Sequence, residues 1–169
     1  MMRVASFDIV FQEIPGEVTL ALNLSGCPCH CPGCHSQHLW EDVGEELNEE
    51  LLDGLLARYG SMITCVCFMG GDQDPLSVQR MAEHVKELRM TNDEIRIRTA
   101  WYSGRPGNPE QSEFVDNLPE VSAAFDYMKF GPYIESLGGL KNPTTNQRLY
   151  KRTGNGWEDI TSKFWNRTI

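Results

Sequence analysis

The chain has no apolar run near the ~18 consecutive residues that mark a membrane-spanning helix. A transmembrane segment is therefore excluded as an expectation. Positive charge is scarce. Lys and Arg number 15 against 24 Asp and Glu, giving a net charge of -9 and a pI near 4.9. That balance argues against nucleic acid or an anionic membrane as the main partner. The N-terminus, MMRVASFDIV, lacks an apolar h-region and a cleavage site, so no signal peptide is expected. There is no internal repeat and no low-complexity tract. Cysteine is absent after Cys67. Six cysteines without an export signal fit a reducing cytoplasm and point to metal or redox use. A length of 169 residues suits one domain, 1–169, with a single core.

What is present is concentrated. Leu24 to Trp40 reads LSGCPCHCPGCHSQHLW and holds four of the six cysteines and three of the four histidines. Cys27, Cys31 and Cys34 follow the spacing C-x3-C-x2-C, with Cys29 between the first two. Thiolates this close usually share a zinc ion or an iron–sulfur cluster. A structural zinc site closes with four ligands, commonly as two separated pairs. Here one tight group supplies three, with Cys29, His30, His35 or His38 as possible fourth ligands, and the spacing favours a cluster. A disulfide framework lacks a second cysteine-dense segment to pair with. Three thiolates on a four-iron cluster would leave one iron open, which makes the site a candidate for chemistry. Gly26, Pro28, Pro32 and Gly33 keep the segment from becoming a helix.

Along the chain, Val4–Phe11 and Glu17–Leu24 read as strands joined at the Pro15-Gly16 turn, so the cysteine loop (25–38) leaves the end of a core strand. Asn48 caps a helix to Tyr59 with Leu51, Leu52, Leu55 and Leu56 as its stripe. Ile63–Phe68 is a short strand whose Cys65 and Cys67 share a face, as buried small hydrophobes or as a redox pair. Gly70-Gly71-Asp72 follows at once, leaving room for a ligand beside a carboxylate; Asp74 is a second candidate acid. Leu76–Met90 is a helix, with His84 read as a surface residue, and Ile95–Trp101 a strand with Arg96 and Arg98 on one face. Glu110–Leu118 suggests a short helix and Phe125–Phe130 a strand ending near Lys129. The tail, 151–169, carries Trp157, Phe164 and Trp165, apolar material for a sheet edge or a partner. Strands alternating with helices argue an α/β fold with a mainly parallel sheet.

The C-x3-C-x2-C loop after a strand resembles the signature of the radical S-adenosylmethionine (SAM) enzymes. Gly70-Gly71-Asp72, Thr99-Ala100-Trp101, Lys129-Phe130-Gly131-Pro132-Tyr133 and Asn146-Gln147-Arg148 narrow the resemblance to the activating proteins of anaerobic (class III) ribonucleoside-triphosphate reductase. The resemblance implies an incomplete (βα) barrel with a mostly parallel sheet and outer helices. It implies a [4Fe-4S] cluster on Cys27, Cys31 and Cys34, and SAM near Gly70, Gly71, Asp72, Arg98, Thr99 and Lys129. It implies an oxidoreductase that cleaves SAM reductively and makes a glycyl radical on the reductase large subunit, fed by a low-potential electron donor. The alternatives are an activase for another glycyl-radical enzyme or a small radical SAM maturation enzyme, an iron–sulfur electron-transfer protein, and a zinc-stabilised binding module.

Overall fold

The computed structural model describes residues 2–26, 43–91 and 96–165. Eight strands form one sheet in the order β3-β1-β2-β4-β5-β6-β7-β8. They are β1 (Arg3–Val10), β2 (Thr19–Leu24), β3 (Glu45–Glu46), β4 (Cys65–Met69), β5 (Arg98–Tyr102), β6 (Tyr127–Phe130), β7 (Arg148–Arg152) and β8 (Trp157–Asp159). Among the described residues three α-helices accompany them: α1 (Glu49–Tyr59), α2 (Pro75–Thr91) and α3 (Leu118–Ser122).

The sheet overturns the expectation of an incomplete (βα) barrel with a mostly parallel sheet. It is a mixed sheet with few helices, and four of its seven pairings are antiparallel: β1–β2, β1–β3, β6–β7 and β7–β8. The parallel pairings are β2–β4, β4–β5 and β5–β6. The reason is connection length. A parallel neighbour needs a crossover, usually a helix. The β1–β2 connection is a short turn in which Gly16 adopts φ +83, and β7 to β8 turns through Gly154-Asn155-Gly156, so these strands fold back as hairpins.

Individual elements follow local chemistry. Asn48 caps α1, its Oδ1 accepting the Leu51 N–H at 2.8 Å, and Leu52, Leu55 and Leu56 are buried. Asp74 caps α2, accepting from the Ser77 N–H at 3.3 Å and the Ser77 hydroxyl at 2.5 Å. The helix expected over Glu110–Leu118 is absent. Residues 110–117 run as turns after the Asn108–Gln111 bridge, and helix begins at Leu118, with Pro119 in its first turn. His84 is not a bystander: its Nε2 lies 2.6 Å from Asp53 Oδ1, joining α2 to α1. Part of the tail is a sheet component. Trp157–Asp159 forms edge strand β8, and Phe164 is buried.

The central strands have two unlike faces. Leu20, Leu22, Val66, Phe68, Trp101 and Met128 point to the main apolar core with the helices. Cys65, Cys67, Ala100, Tyr127 and Leu149 belong to a second, smaller cluster, closed by Ile14, Ile160 and Phe164.

Candidate functional site at the C-terminal ends of the parallel strands

Parallel strands present their C-terminal ends on one edge, the usual ligand side of an open α/β sheet. Here that edge carries Ser25-Gly26 after β2, Gly70-Gly71-Asp72 after β4, Ser103-Gly104 after β5 and Gly131 after β6. The cysteines Cys27, Cys29, Cys31 and Cys34, and the histidines His30, His35 and His38, lie outside the described residues. The residues that flank them do not. Ser25 is fully buried. Its hydroxyl donates to the Val43 carbonyl at 2.6 Å and accepts the Val43 N–H at 3.0 Å. The points where the chain departs before Cys27 and returns at Val43 are thus fastened together by one side chain.

The 70–74 turn is sewn to the same place. Gln73 Nε2 donates to the Ser25 carbonyl at 3.0 Å. Gly70 and Gly71 adopt φ +107 and +85, a region that disfavours side chains. A Cβ on Gly71 would meet Val78 Cγ2 at 2.6 Å and Leu24 Cδ1 at 3.0 Å, so this turn lies directly against the end of β2. The Gly70 N–H donates to the Tyr102 carbonyl at 3.0 Å, and Trp101 Nε1 donates to the Gly70 carbonyl at 2.7 Å. Asp72 joins the turns after β4 and β5: it accepts the Ser103 hydroxyl and, at 2.9 Å, the Gly104 N–H.

A cavity of about 840 Å³ opens beside this edge on the smaller-cluster face. Its described lining includes Glu13, Met69, Tyr102, Lys129, Tyr133 and Gln147. Lys129 is 8% exposed, and its Nζ donates to the carbonyls of Ser103 at 3.2 Å and Gly131 at 2.8 Å. It also lies 5.9 Å from the centre of the Tyr102 ring. Tyr102 donates its hydroxyl to the Glu13 carbonyl, and burial pushes its pKa well above the usual phenol range. Burial likewise pushes the Cys65 and Cys67 thiols up, which keeps them protonated and poor as nucleophiles or metal ligands. Asn146 Oδ1 is buried without a hydrogen-bond partner among the described residues, while its Nδ2 donates to the Pro132 carbonyl at 3.1 Å.

The expected site residues separate into two groups. Gly70, Gly71, Asp72 and Lys129 gather on the C-terminal edge. Arg98 and Thr99 do not join them: they begin β5, at its opposite end. Thr99 is buried, with its hydroxyl on the Ala124 carbonyl at 2.8 Å and its N–H on Asp126 at 2.9 Å. Arg98 Nη1 reaches the Tyr127 hydroxyl at 3.4 Å. Asp74 is engaged in capping α2. Sequence reading missed Ser103 and Tyr102. Their signal was positional, since Tyr102-Ser103-Gly104 follows Trp101 and must reach the same edge as Gly70.

No curated protein and no solved structure matches the chain. Residues 15–122, well over half of the chain, match the family model described as the 4Fe-4S single cluster domain. That span contains the cysteine segment, Ser25 and the Gly70–Gln73 turn that abuts it, and the chain belongs to this family of iron–sulfur proteins, whose cofactor is a [4Fe-4S] cluster.

Proposed function

We propose that the chain is a radical SAM activase that generates a glycyl radical on an anaerobic ribonucleoside-triphosphate reductase. The observation that carries the reading is the joint at Ser25. It ties the ends of the cysteine segment to each other and to the Gly70–Gln73 turn. Cys27, Cys31 and Cys34 are the cluster ligands in this reading. When bound, the cluster supplies the electron for reductive cleavage of SAM.

The chain's own residues do the positioning. The Gly70-Gly71 turn, packed without side chains against the end of β2, would present its backbone to the cofactor. Asp72 holds that turn to Ser103 and Gly104, so two strand ends move as one wall. Lys129 places a buried cation on the cavity wall, where a carboxylate would be favoured. The cavity beside them, lined in part by Met69 and Tyr102, would receive a loop of the partner protein. An electron donor of low potential is required.

The test is anaerobic reconstitution with iron and sulfide, followed by SAM and a reductant. Methionine and 5'-deoxyadenosine are expected, together with a glycyl radical signal by electron paramagnetic resonance when the reductase is added. A reduced, cluster-loaded protein that leaves SAM intact would overturn the reading.

A second reading rests on the family's own description as a single-cluster domain. An electron-transfer protein would hold its cluster with four chain ligands, Cys29 among them. Cys29→Ala should then abolish the cluster spectrum, whereas the activase should retain it.

A further inference from the structure

At the opposite end of the parallel strands lies a cleft of about 750 Å³ that the reading above does not use. Its lining contains Arg89, Arg96, Arg98, Lys151 and Arg152, five of the 15 basic residues of an acidic chain. The acid in that lining is Asp126. Its charge is committed internally, to Arg89 Nη1 at 3.0 Å, the Thr99 N–H at 2.9 Å and the Thr99 hydroxyl at 3.3 Å. Arg152 is held by neutral carbonyls, of Phe125 at 2.9 Å and of Ser122, and lies 4.4 Å over the Trp157 ring, so its charge is not cancelled. Arg98 meets a phenol, Tyr127. The side chains of Arg96 and Lys151 make no hydrogen bond among the described residues. Among the described residues, Glu17, which accepts from Tyr127 at 3.3 Å, and Glu158, opposite Lys151 in the β7–β8 pair, are the neighbouring acids.

We propose that this cleft binds an oligophosphate anion, either free or as the phosphate chain of a nucleotide. Three observations favour it. The four cations on Arg96, Arg98, Lys151 and Arg152, none in a salt bridge among the described residues, exceed what one carboxylate would need. Guanidinium forks suit phosphate oxygens with two parallel donors each. The cleft volume falls in the range of small-molecule sites. An extended nucleic acid is disfavoured, because the basic residues are confined to a concavity on a chain of net charge -9. Arg89 and Arg152 carry the structural bonds and form the floor. Arg96, Arg98 and Lys151 supply further donors beside that floor. The proposal is independent of the activase reading and survives its failure.

Titration calorimetry on the full-length, cluster-loaded protein at low ionic strength tests it. Inorganic triphosphate, ATP and orthophosphate are the probes. Triphosphate should bind more tightly than orthophosphate, and added salt should weaken it. Arg96→Gln/Lys151→Gln should weaken triphosphate at least ~10-fold, since each charged hydrogen bond is worth about 1.5–3 kcal/mol and 1.4 kcal/mol is tenfold. Its melting temperature should change little, because neither side chain makes a hydrogen bond among the described residues and Lys151 gives up only a contact 6.0 Å from the centre of the Tyr127 ring. Equal binding of triphosphate and ATP would identify the bare phosphate chain as the ligand; tighter ATP would identify a nucleotide. Absence of triphosphate binding, binding untouched by the double variant or by Lys151→Glu, or displacement by poly-glutamate at lower concentration than by triphosphate would overturn the proposal. The last result would assign the cleft to an acidic protein segment.

Discussion

The two faces of the central strands are made from alternate residues of the same short segments, yet they do different work. In β4, Val66 and Phe68 enter the helix-covered core, while Cys65 and Cys67 enter the smaller cluster. In β5, Trp101 packs near-parallel to Phe125 at 5.9 Å on the first face, and Tyr102 lines the cavity on the second. The first face is large, apolar and dry. The second is a smaller cluster, with Cys65, Cys67 and Ala100 on the strands under Ile14, Leu149 and Phe164, and it leaves a concavity. The difference teaches that stability is concentrated on one side of this sheet, which lets the other keep a cavity, a buried cation and an open acceptor.

The sharpest way to break that comparison is to cut a side chain from each face of one strand. Phe68→Ala should cost about 3–5 kcal/mol by chemical denaturation, since it empties the core beside Leu22 and Trp101. Cys67→Ala, one residue away, should cost about 1 kcal/mol, a typical single substitution. Equal losses would mean that the second face bears as much of the fold as the first.

A substitution at the joint should fall between these. Gly71→Ala forces a side chain into φ +85 and against Val78 and Leu24. A loss of about 1–3 kcal/mol is expected, the range for a strained backbone position. An unchanged unfolding midpoint would show that the turn does not lie against β2 as described.

The last is a pH dependence that the second face should show most strongly, with Tyr150 the group raised by burial against the first. Cys65, Cys67 and Tyr102 all have pKa values raised by burial, so the folded state favours their neutral forms. Their contribution is full below the unfolded values near 9 and 10. It is lost as pH rises through them, at up to about 1.4 kcal/mol per pH unit for each titrating group. Tyr127, raised from 10 to about 12, adds a further loss over that window. Cys65→Ala/Cys67→Ala should flatten the alkaline slope of stability measured in the metal-free protein. A slope unchanged by the double substitution would mean that these thiols are not buried.

Local chemistry was enough for much of this molecule. The alternation Val18-Leu20-Leu22-Leu24 marked β2, the Asn48 cap and leucine stripe marked α1, and Pro15-Gly16 marked the turn before β2, because each depends on neighbours a few residues apart. The close C-x3-C-x2-C spacing pointed to an iron–sulfur cluster for the same reason, and the family match agrees. Strand direction was not legible, since a hairpin and a crossover differ in where the chain returns. The sequence order of strands and helices therefore suggested a more parallel sheet than the one that forms. Nor could sequence separate Arg98 and Thr99 from Asp72. Residues on neighbouring strands meet only according to the register of the sheet, and that register carried the first two to one end and the third to the other. Tertiary structure alone made Ser25 a clasp, seated Gln73 on it, and drew five basic side chains from α2, β5, the segment just before β5 and β7 into one cleft, because only packing brings together groups so far apart along the chain.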